Sequence, residues 1–75
     1  MPYINIKVTD EGVTDDQKKR LIEGATTLLN QVLGKPRSSV FVVIDEIKTD
    51  NWGVGGETVT DLRKTKIHDK LEIKV

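Results

Sequence analysis

Cysteine is absent from this chain of 75 residues, and histidine, methionine, tryptophan, tyrosine and phenylalanine each occur once. Without cysteine, disulfide bridges, thiolate metal sites and cysteine nucleophiles are all excluded. The single histidine, His68, excludes a zinc site built from the histidines of one chain. This length predicts a single domain over residues 1–75, because the chain is too short to form two hydrophobic cores.

An excess of charge of one sign and long hydrophobic runs are also lacking. Twelve basic residues balance twelve acidic residues, which predicts no general attraction to nucleic acid or to an anionic membrane. No apolar stretch approaches the roughly 18 residues of a membrane span and no signal peptide is recognisable, so we expect a soluble, cytoplasmic protein with no membrane partner. A domain this small without disulfides or metal usually needs oligomerisation for stability. We therefore expect a homo-oligomer.

Hydrophobic periodicity divides the first half of the chain into a strand and a helix. Apolar residues at alternate positions from Tyr3 to Val8 predict a strand. A helix is predicted to begin after Thr14, which can form a capping box with Gln17, and to end at Gly34, because Pro36 prevents its continuation. Its apolar residues recur at the helical period, at Leu21, Ile22, Ala25, Leu28, Leu29, Val32 and Leu33.

A second strand is predicted from Ser39 to Ile44, where the chain is apolar at nearly every position, and it is closed by Asp45 and Glu46. A strand–helix–strand unit of this length predicts parallel strands joined by a right-handed connection. The helix covers one face of the sheet, so Phe41 and Val43 are expected on the uncovered face. An uncovered apolar sheet of two strands does not persist in water, so this face is predicted to meet another subunit.

The remaining third of the chain begins with a polar turn and the glycine-rich segment Trp52–Glu57. This segment predicts a hairpin or bulge, since it has neither dinucleotide-binding spacing nor a Walker lysine. The C-terminal extension, residues 58–75, predicts a short helix around Val59–Leu62 and an edge strand at Leu71–Val75. The predicted fold class is α+β: a β-α-β protomer with parallel strands, a C-terminal hairpin and an extra tail, assembled as an oligomer.

Pro2 directly precedes the first strand, and its chemistry depends on whether Met1 is present. Once Met1 is removed, the Pro2 nitrogen is a secondary amine; α-amino groups titrate at about 7.7–8.0, and modest burial favours their neutral, basic form. With Met1 retained, the same nitrogen is an amide without useful basicity. Pro2 is thus a candidate general base, although proline here also serves simply to permit Met1 removal or to begin an edge strand.

Four features follow one another along the chain at characteristic spacings. They are Pro2 at the start of a strand, the capped helix start Thr14–Lys18, the segment Pro36–Val40 and the segment Trp52–Glu57. In this combination they resemble the 4-oxalocrotonate tautomerase family, specifically its DmpI-type branch, from the second residue to about Arg63. The resemblance implies a β-α-β protomer and a hexamer arranged as a trimer of dimers. It also implies active sites between subunits that use no cofactor and no metal.

The resemblance assigns roles to individual residues as well. Pro2, after removal of the initiator methionine, would move a proton within a small enol or dienol oxo acid. Trp52 matches the pocket aromatic and would lower the Pro2 pKa by desolvation. The two arginines that bind the substrate carboxylate and polarise the ketone in the best-known members are matched here by Val13 and Phe41, so we do not carry over a dicarboxylate substrate. Arg37 is the candidate substitute cation in the substrate-binding site.

Other functions remain open on the sequence. Pro2 can instead act as a nucleophile that forms an iminium with a carbonyl, or as an acid in hydration or dehalogenation chemistry. From a different class, the loss of both arginines favours an oligomeric scaffold or binding protein that has kept the fold without the activity. A pH–rate profile in which the limb set by the general base disappears on Pro2→Ala would favour catalysis.

Overall fold

The computed structural model describes residues 1–69. Its helices and strands, in chain order, are β1 (Tyr3–Thr9), α1 (Asp15–Leu33), β2 (Phe41–Ile47), β3 (Gly53–Val54), β4 (Glu57–Thr58) and α2 (Val59–Asp69). Short 3-10 turns, Arg37–Ser39 and Thr49–Asn51, precede β2 and the β3–β4 hairpin. Neither α1 nor α2, within the described part of the chain, is both long and apolar enough to cross a lipid bilayer.

Strands β1 and β2 form a parallel pair, with Tyr3 opposite Phe41 at one end and Thr9 opposite Ile47 at the other. Helix α1 connects them, so the predicted β-α-β unit and the α+β class are confirmed. The predicted limits of β2 were wrong at both ends. Ser39 belongs to the preceding 3-10 turn, and the strand continues three residues past Ile44.

The extension of β2 past its apolar run has an electrostatic cause. Asp45 accepts hydrogen bonds from Lys7 and Asn5 of β1, and Glu46 forms an ion pair with Lys18 of α1. Both carboxylates therefore have partners within the β-α-β unit. A charged residue can remain in a strand when neighbouring elements supply oppositely charged or polar partners, as β1 and α1 do here.

Helix α1 has the two ends that the sequence predicts. The backbone N–H of Gln17 donates to the Thr14 hydroxyl (3.1 Å), and the Gln17 side-chain oxygen accepts from the Thr14 N–H (2.9 Å), which completes a capping box. At the other end Gly34 adopts the left-handed conformation (φ 70°), and its N–H donates to the carbonyl oxygen of Asn30 at 3.0 Å. These bonds satisfy backbone groups that a helix end leaves without partners.

The two faces of the β1–β2 sheet differ in how they are covered. The Lys18–Glu46 ion pair shows that α1 lies over one face. On the other face Tyr3, Phe41 and Val43 are 61%, 52% and 41% exposed. The prediction that Phe41 and Val43 project away from the helix is therefore confirmed, and a single protomer leaves this apolar face in water.

The glycine-rich segment forms a tight β-hairpin. Gly55 and Gly56 occupy its two turn positions with φ values of 62° and 88°. Positive φ at both positions is the geometry of a type I′ turn, which matches the twist of the flanking strands and favours glycine. Of the two predicted alternatives, a hairpin or a bulge, the structure has the hairpin.

Helix α2 begins at Val59, as predicted, but continues to Asp69 and so is longer than the predicted turn ending near Leu62. The Thr58 hydroxyl accepts a hydrogen bond from the Asp61 N–H (3.0 Å), which caps the helix start. No glycine or proline follows within the helix to end it. The edge strand predicted at Leu71–Val75 lies outside the described residues.

Two glycine substitutions, one within α1 and one at its C-terminal end, should change stability in opposite directions. Gly34→Ala forces a Cβ into the left-handed region and should destabilise the fold by about 1 kcal/mol. Gly24→Ala lies in the helix interior, where an added Cβ meets nothing within 4 Å, and should stabilise by about 1 kcal/mol. Urea unfolding at fixed protein concentration measures both. Changes of the same sign would contradict this account of the helix end.

Phe41→Glu should disrupt self-association, because it places a charge in the middle of the uncovered apolar face. Sedimentation velocity should show a smaller species than the wild type. Gln31→Glu adds the same charge at an exposed position of α1 and is the matched control, which should sediment as the wild type does. A Phe41→Glu variant that stays fully associated would contradict the assignment of this face as an interface.

Candidate active site

Pro2 lies at the beginning of the parallel strand pair. Its carbonyl oxygen accepts a hydrogen bond from the Phe41 N–H at 3.0 Å, which extends the β1–β2 ladder by one residue. Pro2 is half-buried, whereas Met1 is 87% exposed. The ladder and the proline ring together fix the backbone beside the Pro2 nitrogen, so a free amine here would have little conformational freedom.

Trp52 lies in the short connection between β2 and the hairpin. Its N–H donates to the carbonyl oxygen of Thr49 at 3.4 Å, and its own carbonyl oxygen accepts from the Val59 N–H at 2.8 Å. The residue is half-buried. Its backbone is thus held on one side by the 3-10 turn before it and on the other by the first residue of α2.

Pro2 and Trp52 lie at opposite ends of the sheet in one protomer. Because β1 and β2 are parallel, both strands begin at the Pro2 end, and Trp52 follows the opposite end of β2. Strands of seven residues, at about 3.3 Å each, separate the two ends by roughly 20 Å. A single protomer therefore does not bring these two predicted site residues together.

Arg37 lies at the Pro2 end of the sheet, in the 3-10 turn before β2. Its guanidinium donates to Glu23 at 2.7 Å and to the Thr27 hydroxyl at 2.9 Å, both on α1. The charge of this predicted substrate-binding residue is therefore already compensated by a carboxylate. An incoming anion would have to compete with Glu23 for it.

The two positions matched to the family's arginines carry apolar side chains in different surroundings. Val13 is half-buried and, with Gln17, Arg20 and Leu21, lines an open depression of about 400 Å³ beside the start of α1. Phe41 lies on the uncovered sheet face at the other end of the molecule, opposite Tyr3. Neither side chain can bind a carboxylate.

A polar cluster occupies the uncovered face beside these apolar residues. The Asn5 side chain donates to the Val43 carbonyl oxygen (3.1 Å) and to Asp45 (3.0 Å), and the Lys7 ammonium contacts the same Asp45 oxygen at 3.0 Å. The Asn5 amide and then the Lys7 ammonium hold the pKa of Asp45 below its ordinary value. Among residues 1–64, whose side chains the structure describes, no Asp and Glu side chains group in a way that could hold a metal ion.

Glu11 and Arg63 form a contact that the sequence did not predict. The two terminal guanidinium nitrogens of Arg63 donate to the two carboxylate oxygens of Glu11, and the Thr9 hydroxyl donates to one of these oxygens. The Thr9 hydroxyl, followed by Arg63, holds the pKa of Glu11 below its ordinary value. Glu11 and Arg63 are 52 positions apart in the sequence, so no local sequence signal could have paired them.

Comparison with known proteins identifies the family. The model of a family described as tautomerase enzyme matches residues 2–62, and the match begins at Pro2. The chain belongs to the tautomerase family. It is 55% identical, over 64 residues, to the probable tautomerase K2 of Dickeya dadantii; the match covers 85% of this chain and 96% of that protein.

Solved structures of tautomerases share the fold. DmpI from Helicobacter pylori superposes with a TM-score of 0.78 at 48% identity, covering 84% of this chain and 97% of that one. A heterohexamer 4-oxalocrotonate tautomerase from Chloroflexus aurantiacus gives a TM-score of 0.75 at 27% identity, covering 84% of this chain and 100% of that one. The chain is therefore an isomerase of the 4-oxalocrotonate tautomerase family, of the DmpI type.

Acidification should break the Glu11–Arg63 contact in this tautomerase. The folded-state pKa of Glu11 is depressed, so the stability that the contact contributes is present above the unfolded value of about 4.3 and is lost as the pH falls through the lower, folded value. In an NMR titration of the Glu11 carboxyl carbon, Arg63→Ala should raise the midpoint toward the ordinary value. Lys64→Ala removes the same charge from the next position and should leave it unchanged; equal shifts in both variants would contradict the direct contact.

Proposed function

We propose that this chain interconverts the enol and keto forms of a small unsaturated oxo acid, with Pro2 as the general base after Met1 is removed. The observation that carries the proposal is the position of Pro2, half-buried and fixed by the hydrogen bond from the Phe41 N–H at the start of a rigid ladder. The exposure of Met1 supports its removal, because it leaves the bond to Pro2 accessible. The family match, which begins at residue 2, supports the tautomerase chemistry.

The chemistry is a transfer of one proton within the substrate. The neutral secondary amine of Pro2 takes a proton from the enol oxygen or from an acidic carbon, and the resulting ammonium returns it to another position of the conjugated system. A ring-constrained amine loses little conformational freedom on reaching the reactive geometry. A general base in this position contributes about 10²–10⁴ to the rate.

The pocket is proposed to form between subunits. Pro2 and Trp52 are roughly 20 Å apart along one protomer, so an apolar wall supplied by Trp52 must come from another copy. Two observations support assembly: Tyr3, Phe41 and Val43 are exposed, and Val59 is the only apolar residue that is buried among those described. We propose a homohexamer, a trimer of dimers, in keeping with the heterohexamer of the Chloroflexus tautomerase.

The substrate is proposed to carry fewer carboxylates than a dicarboxylate such as 4-oxalocrotonate. Val13 and Phe41 cannot form the fork contact by which arginine holds a carboxylate. Arg37 can bind one only by exchanging Glu23, its partner at 2.7 Å, for the substrate. A single carboxylate, bound by such an exchange, is the arrangement that the charges of the described residues support.

The same charge pattern favours a second candidate, an oligomeric scaffold without activity. In that case the fold and the subunit contacts persist while Pro2 has no catalytic role. The two functions differ in one measurable property, since only the enzyme requires a free Pro2 amine together with Trp52 from a neighbouring copy.

Mixed oligomers test the shared site directly. Intact mass first establishes that Pro2 is the N-terminal residue, and ultraviolet absorbance then follows conversion of an enol to its ketone. Pro2→Ala replaces the ring-constrained secondary amine by a flexible primary amine, so it should lower the rate by about 10²–10⁴ and shift the low-pH limb of the pH profile, which reports the general base. Trp52→Ala should also lower it, because the amine loses an apolar neighbour that favours its neutral form.

Unfolding and refolding the two variants together should restore activity. The Trp52→Ala variant still has Pro2, and the Pro2→Ala variant still has Trp52. A site that takes each of these residues from the variant that keeps it is intact, and random mixing at equal amounts makes such sites roughly one quarter of all sites. Each variant refolded alone is the control and should keep its lowered activity. If the mixture is no more active than the variants refolded separately, the shared pocket is wrong; if processed wild type converts no enol substrate, the scaffold is favoured.

A further inference from the structure

We infer that helix α2 positions the substrate pocket, with Thr60 and Arg63 as its positioning residues. Thr60 fixes the turn that precedes Trp52, and Arg63 fixes the loop between β1 and α1, which contains Val13. The inference rests on the proposed function, in which Trp52 is a wall of the pocket.

The first turn of α2 holds the segment that leads into Trp52. Val59, 8% exposed, donates its N–H to the Trp52 carbonyl oxygen at 2.8 Å. The hydroxyl of Thr60 lies 2.6 Å from the hydroxyl of Thr49 and 2.5 Å from a carboxylate oxygen of Asp50. One hydrogen bond therefore ties Trp52 to α2 directly, and two more tie α2 to the turn that precedes Trp52.

The second turn of α2 holds the other segment. Arg63 presents both terminal nitrogens to the two oxygens of Glu11, with Nη2 to Oε2 at 3.0 Å. This two-point geometry fixes the direction of the contact as well as its distance, which a lysine could not do. The Thr9 hydroxyl holds the same carboxylate from the strand side, so Glu11 is oriented before it meets Arg63.

One face of α2 makes both contacts, since Thr60 and Arg63 are three positions apart and point the same way. The two segments also leave the sheet side by side, because the Asp10 N–H donates to the Ile47 carbonyl oxygen at 2.8 Å. Helix α2 therefore braces the loop after β1 against the turn after β2. Its contacts set the spacing between these two segments.

The Glu11–Arg63 pair is better suited to positioning than to stabilising the fold. Arg63 is about half-exposed, and exposed ion pairs contribute little to folding stability. Misplacement of a pocket wall by about 1 Å, in contrast, can lower a rate by about 10².

The experiment uses Trp52 as its reporter, because it is the only tryptophan of the chain. Arg63→Ala and Thr60→Val are compared with the wild type in the assembled protein by acrylamide quenching of fluorescence and by kcat/KM for enol conversion. We expect easier quenching of Trp52 and a fall in kcat/KM of about tenfold in both variants. Thr60→Ser keeps the hydroxyl and should behave as the wild type does.

Two controls separate positioning from charge. Lys64→Ala removes the same charge from the next residue of α2, which is also exposed, and should leave both readouts unchanged. The double variant Glu11→Arg with Arg63→Glu reverses the pair and should restore quenching and kcat/KM toward wild-type values. If Arg63→Ala matches Lys64→Ala in both readouts and changes only the thermal midpoint, the positioning role is overturned.

Failure of the proposed function would be visible separately. Quenching of Trp52 needs no catalysis, so easier quenching in Arg63→Ala supports the brace even if the wild type converts no enol. Unchanged quenching with unchanged activity overturns the brace and leaves the general-base role of Pro2 intact.

Discussion

The parallel pairing of β1 with β2 is the constraint on which the rest of this molecule depends. It aligns the starts of both strands, so Pro2 and Phe41 meet at one end while Ile47 and the chain leading to Trp52 emerge at the other. A parallel pair also requires a long crossover, which α1 provides, and that helix can cover only one face of the sheet. The separation of Pro2 from Trp52 and the exposure of one apolar face both follow from this single pairing.

The exposed face means that a single chain of 75 residues buries little of its apolar surface by itself. Val59 is the only apolar residue buried among those described, so most of the hydrophobic stabilisation available to the sequence is not realised within one protomer. Burying Phe41 and its neighbours against other copies would realise it. The same association is what a pocket shared between subunits requires, so stability and the proposed activity depend on one event.

Most charges of the described protomer are paired with one another, and this pairing bears on substrate choice. Arg37 is held by Glu23, Lys7 contacts Asp45, and Arg63 meets Glu11. Under the proposed function, the residues matched to substrate-binding arginines are apolar, and Arg37, the proposed substitute cation, already has Glu23 as its partner. The pocket of this tautomerase is therefore expected to favour a less highly charged substrate, and the brace formed by α2 gives it walls of defined spacing.

Local signals in the sequence were sufficient to predict the β-α-β unit and the family, but not the limits of β2 or the length of α2. Capping residues, helical periodicity and paired glycines are local signals, so they located α1, its two ends and the hairpin, and Pro2 could be singled out from its position before a strand. Local signals could not show that Arg37 is occupied by Glu23 or that Arg63 reaches Glu11 across 52 residues. These pairings, and the placement of Pro2 and Trp52 at opposite ends of the sheet, follow from the tertiary structure. Contacts between distant segments depend on how the strands pair in space, so they produce no periodic pattern in the sequence.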